Sequence, residues 1–174
     1  YDYQLVLAIL LKNGREMFGD RFFFNDNDTL IAVQLAGYFL MDEEMCDYYE
    51  LDLNKGILLI GPIGCGKTSL MQIMRIIPDK DHRFRMKSCR DVTFEFIQDG
   101  FSVIHKYAKG ELYRSDFMNY CFDDLGTESN LKYYGNYKNQ AYYFSRFDKK
   151  DIILSVKLSN HCDKAGDINQ SILN

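Results

Sequence analysis

The stretch GILLIGPIGCGKTSLM, residues 56–71, is the strongest indication of the fold. It opens with a short apolar run bounded by glycines, residues 56–61, typical of a strand buried on both faces of a parallel sheet. A helix is expected from Lys67 to about Ile76, ending before Pro78. The residues between the strand and the helix are rich in glycine, which predicts a tightly curled loop.

The loop has the spacing G-x-x-x-x-G-K-[ST], carried by Gly61, Gly66, Lys67 and Thr68. In such a loop successive backbone N–H groups surround a phosphate, and the following helix adds its positive end. Lys67 is expected to reach the β- and γ-phosphates of a nucleotide, and the hydroxyl of Thr68 to ligate Mg²⁺. The alternative is a chance glycine-rich turn. The residues predicted to bind the nucleotide are Gly61, Pro62, Ile63, Gly64, Cys65, Gly66, Lys67, Thr68 and Ser69, with Cys65 interpreted as a small filler residue.

Strands and helices alternate along the rest of the chain. Helices are expected at residues 1–12, after an N-cap at Asp28, at 91–109 and at 138–147, and strands at 82–88, 118–122 and 151–159. In the helix after Asp28 the predicted buried face consists of Leu30, Ile31, Leu35, Tyr38 and Phe39. In the long helix 91–109 it consists of Phe94, Ile97, Phe101, Ile104 and Ala108, although Gly100 weakens that helix. The alternation predicts an α/β fold, a three-layer sandwich around a parallel sheet.

The composition indicates one globular domain. The 174 residues are 47% hydrophobic and 26% charged, and the net charge is −4. The apolar runs are far shorter than the roughly 20 residues of a membrane span, so no membrane partner is expected. Five cysteines without a CxxC pair favour reduced thiols and a cytoplasmic location over disulfides or a zinc site. The acidic run at 41–52 is interpreted as a solvated face or a partner-docking face.

A second motif follows an apolar run in NYCFDDLGTE, residues 119–128. In a fold with a phosphate-binding loop, Asp123 would hold Mg²⁺ through its water shell, and Asp124 would orient or deprotonate the attacking water. An acid directly after the metal-binding Asp favours an ATPase over a kinase, which must exclude water. The base-recognition sequence N-K-x-D of GTPases is missing from the sequence. The alternative is an acidic turn, and Glu128 is either a surface acid or part of the site.

Together, GILLIGPIGCGKTSLM and NYCFDDLGTE resemble the AAA+ ATPases of the DnaC/IstB group, which are bacterial helicase loaders and transposition helper ATPases. The sequences RFRMKS and LKYYGN resemble a mobile-element and phage-associated branch of that group, and the resemblance covers roughly residues 10–147. It implies a P-loop NTPase core at 54–174 and a helical N-terminal segment at 1–53 that packs on it. It also implies the cofactors ATP and Mg²⁺, with Asp124 in place of the more usual catalytic glutamate.

The resemblance further implies a homo-oligomer that assembles on ATP binding and acts on a replicative helicase or a transposase. The DNA partner would be single- or double-stranded and bound without strong sequence preference. A sensor residue is expected at the end of the fourth core strand, where Asn160 is the candidate and Ser159 the alternative. This residue would contact the γ-phosphate.

The sequence departs from the family after Arg146, beyond which it contains no arginine. The family would place an arginine finger, the last sheet strand and a helical lid there, and no lid is evident. The expectation is that the chain is truncated or divergent in this part, or that another residue takes the role of the arginine finger. Weak turnover is therefore expected, and two alternatives remain open: a nucleotide-dependent switch with little hydrolysis, and a small-molecule or nucleotide kinase.

Two stretches are candidate nucleic-acid surfaces. Residues 131–150 interleave tyrosines with lysines and an arginine, the mixture of stacking rings and cations that binds single strands. Residues 80–90 are rich in Lys and Arg. Neither stretch contains a helix-turn-helix or zinc-finger pattern, so sequence-specific binding is not expected. The alternative for both stretches is an ordinary packed or solvated face.

Overall fold

The computed structural model describes residues 1–109, 118–125, 131–133, 136–138 and 152–157. The described part is a mixed α/β structure. Its helices are α1 (Tyr3–Phe18), α2 (Asp26–Phe39), α3 (Glu43–Tyr48), α4 (Lys67–Met74), α5 (Cys89–Asp99) and α6 (Phe101–Lys109). Its strands are β1 (Leu58–Gly61), β2 (Phe84–Ser88), β3 (Asn119–Leu125), β4 (Leu131–Tyr133), β5 (Asn136–Lys138) and β6 (Ile152–Lys157).

Four of these strands form a sheet with the order β1-β6-β3-β2, and every pairing within it is parallel. The carboxyl ends of the strands therefore lie at one edge of the sheet, where the loop after β1 and the aspartates of β3 meet. Strands β4 and β5 form a separate antiparallel pair. The helix predicted at 138–147 overlaps β5 at its first residue, and its other residues lie outside the described part of the chain.

The two faces of the sheet carry different cores. The larger core joins α1 and α2 to β1 and α4, through Leu10, Leu35, Ile57, Leu59 and Met71 among others. The smaller core contains Cys89, Val92, Val103, Tyr107 and Phe122. The neighbours Cys121 and Phe122 belong to different cores because successive strand residues point to opposite faces. Helices thus cover both faces of the sheet.

The N-terminal helices differ from the prediction in their ends. Helix α1 continues to Phe18, and α2 begins one turn earlier than expected, with Asn25 rather than Asp28 as its N-cap. Asp28 is instead the third helical residue of a capping box, in which its carboxylate accepts from the backbone of Asn25. Of the predicted buried face of α2, Leu30 is 44% exposed. Ala32, Leu35, Ala36 and Phe39 are buried, and Ile31 and Tyr38 pack against the core.

The acidic run at 41–52 contains the short helix α3, which the sequence did not predict. Asp42 is its N-cap and accepts hydrogen bonds from the backbone of Met45 and from the hydroxyl of Tyr3 at 2.6 Å. The Tyr3 hydrogen bond is the main reason that the pKa of Asp42 lies below its usual value. This acid therefore fastens α3 to α1 and is not simply a solvated charge.

The prediction of one long helix over 91–109 was wrong. The chain breaks at Gly100, whose φ is 63°, and continues as the separate helix α6. The predicted buried face was also wrong, since Phe94, Ile97 and Phe101 are 58%, 51% and 48% exposed. The residues that α5 buries are Cys89, Val92, Thr93 and Phe96. The physical reason is that α5 carries two apolar stripes, and only one of them faces the sheet.

Glu95 joins the two helices to the sheet. Its carboxylate accepts from Lys87 of β2 at 2.8 Å, and from Lys106 and the hydroxyl of Tyr107 of α6 at 3.3 and 2.7 Å. Burial acts to raise the pKa of Glu95, but the hydrogen bonds from Lys87 and Tyr107 outweigh it and hold this pKa below its usual value. The side chain of Glu95 thus connects α5 to both β2 and α6.

We expect Glu95→Gln to lower the free energy of unfolding by about 1–2 kcal/mol at pH 7, because it removes charge-assisted hydrogen bonds. Since the folded pKa is lowered, the carboxylate stabilises the protein above the unfolded pKa of roughly 4.3 and loses this effect as pH falls through the folded pKa. Urea unfolding of both proteins should therefore show a difference that shrinks below about pH 4. Glu16→Gln is the control, because its pair with Lys12 is exposed and 3.8 Å long. An equal loss in both variants would contradict this role of Glu95.

Candidate functional site

Two glycines in the loop between β1 and α4 have positive φ angles. Gly64 and Gly66 have φ angles of 81° and 89°, a region in which side-chain-bearing residues are strained. A Cβ at either position would meet nothing within 4 Å, so glycine is required there for backbone conformation and not for space. Pro62, Ile63, Gly64, Cys65 and Gly66 are all exposed at the sheet edge.

The N-terminus of α4 opens onto this loop. Its N-cap, Gly66, makes no side-chain capping hydrogen bond, whereas Asp2, Asn25, Asp42 and Ser88 cap α1, α2, α3 and α5 with their side chains. The first-turn N–H groups of α4, including those of Lys67, Thr68 and Ser69, thus have no side-chain acceptor at the N-cap. A phosphate at this position would accept from them and would also be stabilised by the helix dipole.

Lys67 folds back over the loop. Its Nζ donates to the carbonyl oxygens of Gly61 at 2.8 Å and of Pro62 at 2.7 Å, and lies 3.4 Å from Sγ of Cys65. A Cβ on Gly61 would lie 3.1 Å from the same sulfur. Cys65 therefore packs between the first glycine and the lysine, and its sulfur is part of the loop's lining. The ammonium group of Lys67 is held at the place where phosphate oxygens would compete for it.

The hydroxyl of Thr68 contacts the second motif directly. Its Oγ1 lies 3.0 Å from both Oδ1 and Oδ2 of Asp123, a residue 55 positions further along the chain. Both side chains are half-buried. A hydroxyl and a carboxylate placed together are hard oxygen ligands of the kind that Mg²⁺ prefers, and Mg²⁺ sites on nucleotides use only one or two such groups besides phosphates and water. These two residues fit the predicted Mg²⁺ site.

Asp124 has a backbone conformation unlike that of the rest of β3. Its φ is 58°, and the register between β3 and β6 shifts between Phe122 and Leu125. Such a bulge re-aims a side chain and is frequent next to active sites, while Asp and Asn tolerate the left-handed region better than other side-chain-bearing residues. The N–H of Asp124 donates to Oδ1 of Asp123 at 3.1 Å. The backbone of β3 is thus irregular at the second of the two adjacent aspartates.

A cavity of about 330 Å³ adjoins the loop, and the wall opposite the loop was not predicted from the sequence. One side is formed by residues of β1, the loop and α4, among them Gly61, Lys67 and Leu70. The other side is formed by Phe22–Phe24 and by the start of α2, including Asn27 and Asp28. The signal available in the sequence was the aromatic run RFFFNDND at 21–28, which precedes the capping box.

Cys121 precedes the two aspartates and is fully buried. Burial raises the pKa of its thiol to about 12, so it stays protonated at neutral pH. Burial likewise raises the pKa of Cys46 to about 11. These two thiols pack as small apolar groups, and neither has the thiolate character of a nucleophile.

The structure brings together the predicted loop residues, Asp123 and Asp124. Asn160, Ser159, Glu128 and Arg146 lie outside the described residues, as does most of the tyrosine-rich stretch 131–150. Among the residues that the structure describes, no group of three or more His, Cys, Asp and Glu side chains is placed to hold a metal ion. No helix in the described ranges combines the length and apolar character of a membrane span.

Comparison of the chain with protein-family models gives no match. Neither the curated proteins nor the solved structures give a significant match.

Proposed function

We propose that this chain binds MgATP at the loop after β1 and hydrolyses it. The observation that carries the proposal is the 3.0 Å contact between Thr68 and Asp123, which joins two sequence motifs into one site. If the loop were a chance glycine-rich turn, there would be no reason for a carboxylate of another strand to contact the hydroxyl of Thr68 in the helix that follows it. The P-loop NTPase fold, a three-layer sandwich, is supported by the parallel sheet with helices on both faces.

Each residue of the site has a separate task. The loop N–H groups and Lys67 bind and orient the phosphates, and Thr68 and Asp123 would hold Mg²⁺, directly or through its water shell. The bound ion would neutralise charge on the phosphate oxygens. Asp124, which lies at the irregular position of β3, would orient the attacking water and accept its proton.

The cavity between the loop and Phe22–Phe24 is the proposed place of the nucleotide base. It begins at Gly61 and Lys67, where the phosphates would lie, and leads away from them toward the aromatic segment. Phe23 is 69% exposed, so its ring is accessible to a ligand. An apolar wall with a few polar groups from the start of α2 suits a heterocyclic base.

The sheet order favours an ATPase of the AAA+ type. Strand β6 lies between β1 and β3, and the Cα of Lys157 is paired with that of Gly61. The carboxyl end of β6 therefore lies between the phosphate loop and the two aspartates. A sensor residue that contacts the γ-phosphate would have to lie at this position. The proposal that Asn160 is this sensor depends on this register.

Action as a helicase loader or transposition helper, with an ATP-dependent oligomer on DNA, rests on the resemblance of the two motifs to the DnaC/IstB group.

The test is to measure ATP binding and phosphate release by the whole chain, with and without Mg²⁺. We expect tighter binding with Mg²⁺ and slow release of inorganic phosphate without any acceptor substrate. ATP-dependent assembly without release would select the nucleotide switch, and transfer to an acceptor would select a kinase. If ATP does not bind under any of these conditions, the proposal is wrong.

A further inference from the structure

Helix α1 holds one wall of the cavity next to the phosphate loop. Gly14 is buried in the interior of α1, one turn after the core residue Leu10. A Cβ at Gly14 would overlap the ring of Phe22, so only glycine leaves room for this ring on the helix. Glycine destabilises the interior of a helix relative to alanine, and its presence at this position therefore has a packing reason.

Two hydrogen bonds also bring Phe22 back to α1. The helix is capped at its C-terminus by Gly19, whose φ of 96° is in the region that favours glycine. The carbonyl oxygen of Gly19 accepts from the N–H of Phe22 at 3.0 Å, which closes a tight turn after the helix. Nε of Arg15 donates to the carbonyl oxygen of Phe22 at 3.4 Å. Phe22 is thus fixed to the end of α1 through its ring and through its backbone.

Burial alternates along the segment Phe22–Phe24. Phe22 and Phe24 pack against the larger core, and their rings meet edge-on with centroids 5.4 Å apart. Phe23, between them, is 69% exposed. All three residues line the same cavity as Gly61 and Lys67. Phe22 and Phe24 therefore act as anchors, and they hold the ring of Phe23 at the surface beside the cavity.

We propose that Gly14 and Phe22 are positioning residues for the nucleotide base. The contact of Phe22 with α1 fixes the wall of the cavity that lies across from the phosphate loop, and with it the place at which Phe23 can stack on a base. A wall that is held in place before the ligand arrives lowers the entropic cost of enclosing the base. This role rests on the proposed function, in which the phosphates lie at the loop and the base lies in the cavity.

The two parts of the nucleotide are held by different parts of the chain. The phosphate contacts come from the loop and the start of α4, whereas the base contact depends on α1 through Gly14 and Phe22. A change at Gly14 therefore weakens the binding of a ligand that carries a base and spares a ligand that consists of phosphates alone. If Gly14 served folding only, its substitution would lower the free energy of unfolding and leave the affinity of the folded protein for both ligands unchanged.

The experiment measures, by titration calorimetry, the binding of ATP and of inorganic tripolyphosphate to the whole chain in the presence of Mg²⁺. For Gly14→Ala we expect about tenfold weaker binding of ATP, which is within the range that one base–aromatic contact contributes, and less than about a twofold change for tripolyphosphate. Phe22→Leu keeps a smaller apolar anchor and should weaken ATP binding about threefold. In the double variant the shorter side chain makes room for the new Cβ, so ATP should bind within about threefold of the unchanged chain and not about thirtyfold more weakly.

The matched control is Gly37→Ala. Gly37 is also a buried glycine inside a helix, and a Cβ there would lie 2.7 Å from Cγ of Met45, which belongs to α3 and not to the cavity wall. This variant should lower the thermal stability of the chain and leave its affinity for ATP and for tripolyphosphate unchanged.

The comparison of the two ligands decides the outcome. Equal weakening of ATP and tripolyphosphate binding in Gly14→Ala, or unchanged ATP binding in the folded variant, would overturn the proposal. Should Gly14→Ala not fold, Phe22→Leu decides by the same comparison. If the unchanged chain binds tripolyphosphate as tightly as ATP, the base makes no contact and the positioning role is wrong while the phosphate site stands. If it binds neither ligand, the proposed function itself is wrong.

Discussion

Asp124→Asn should lower the rate of ATP hydrolysis by about 10²- to 10⁴-fold while changing the affinity for ATP by less than about threefold. Asn tolerates the left-handed conformation that Asp124 has, with its φ of 58°, so the substitution removes the charge and leaves the bulge in place. The amide cannot accept the proton of the attacking water. Phosphate release in single-turnover conditions and binding of a fluorescent ATP analogue measure the two quantities separately.

Two further variants make this prediction specific. Asp124→Gly keeps the backbone free to adopt a positive φ and should be as inactive as Asp124→Asn. Asp123→Asn should instead weaken the Mg²⁺-dependent part of ATP affinity, because Asp123 contacts the hydroxyl of Thr68. If Asp124→Asn lost ATP binding and Asp123→Asn kept it, the roles of the two aspartates would be reversed.

Lys67→Ala should weaken ATP binding by about a hundredfold. The ammonium group of Lys67 lies within the loop, and it would exchange two carbonyl contacts for two charge-assisted contacts to phosphate oxygens. Each such contact contributes about 1.5 kcal/mol or more, and each 1.4 kcal/mol changes affinity about tenfold. Titration calorimetry with MgATP measures the change.

The control is Lys55→Ala, since Lys55 is only half-buried, lies before β1 and forms an ion pair only with the carboxylate of Asp52, at 3.3 Å, in the described part of the chain. It should bind ATP like the unchanged protein. Thermal unfolding of Lys67→Ala should also be followed, because the lysine bonds to its own loop. Retained ATP affinity in a folded Lys67→Ala variant would contradict the assignment of the loop as the phosphate site.

The local parts of the site could be predicted from the sequence. The strand, loop and helix at 56–74 follow from short-range rules: an apolar run, glycines for positive φ angles and a helix that begins at Lys67. The parallel sheet also followed from the alternation of strands and helices. The strand, loop and helix at 56–74 are fixed by residues close in sequence, whereas the sheet pairs strands that are distant in sequence.

The burial of α5 could not be predicted in this way. One stripe contains Val92 and Phe96, and a second contains Phe94 and Ile97, and both have helical spacing. Periodicity shows that such stripes exist but not which one the sheet covers. The packing of α5 against β2 and β3 decides that, and it leaves Phe94 and Ile97 in solvent.

The sequence by itself determined the phosphate loop and the presence of two adjacent acids after an apolar strand. Only the tertiary structure decided that Asp123 lies 3.0 Å from the hydroxyl of Thr68, that the backbone of β3 is irregular at Asp124, and that Phe22–Phe24 line the same cavity as the loop. The physical reason is that backbone conformation depends on neighbouring residues, whereas the meeting of residues 55 positions apart depends on how parallel strands are ordered and registered in the sheet.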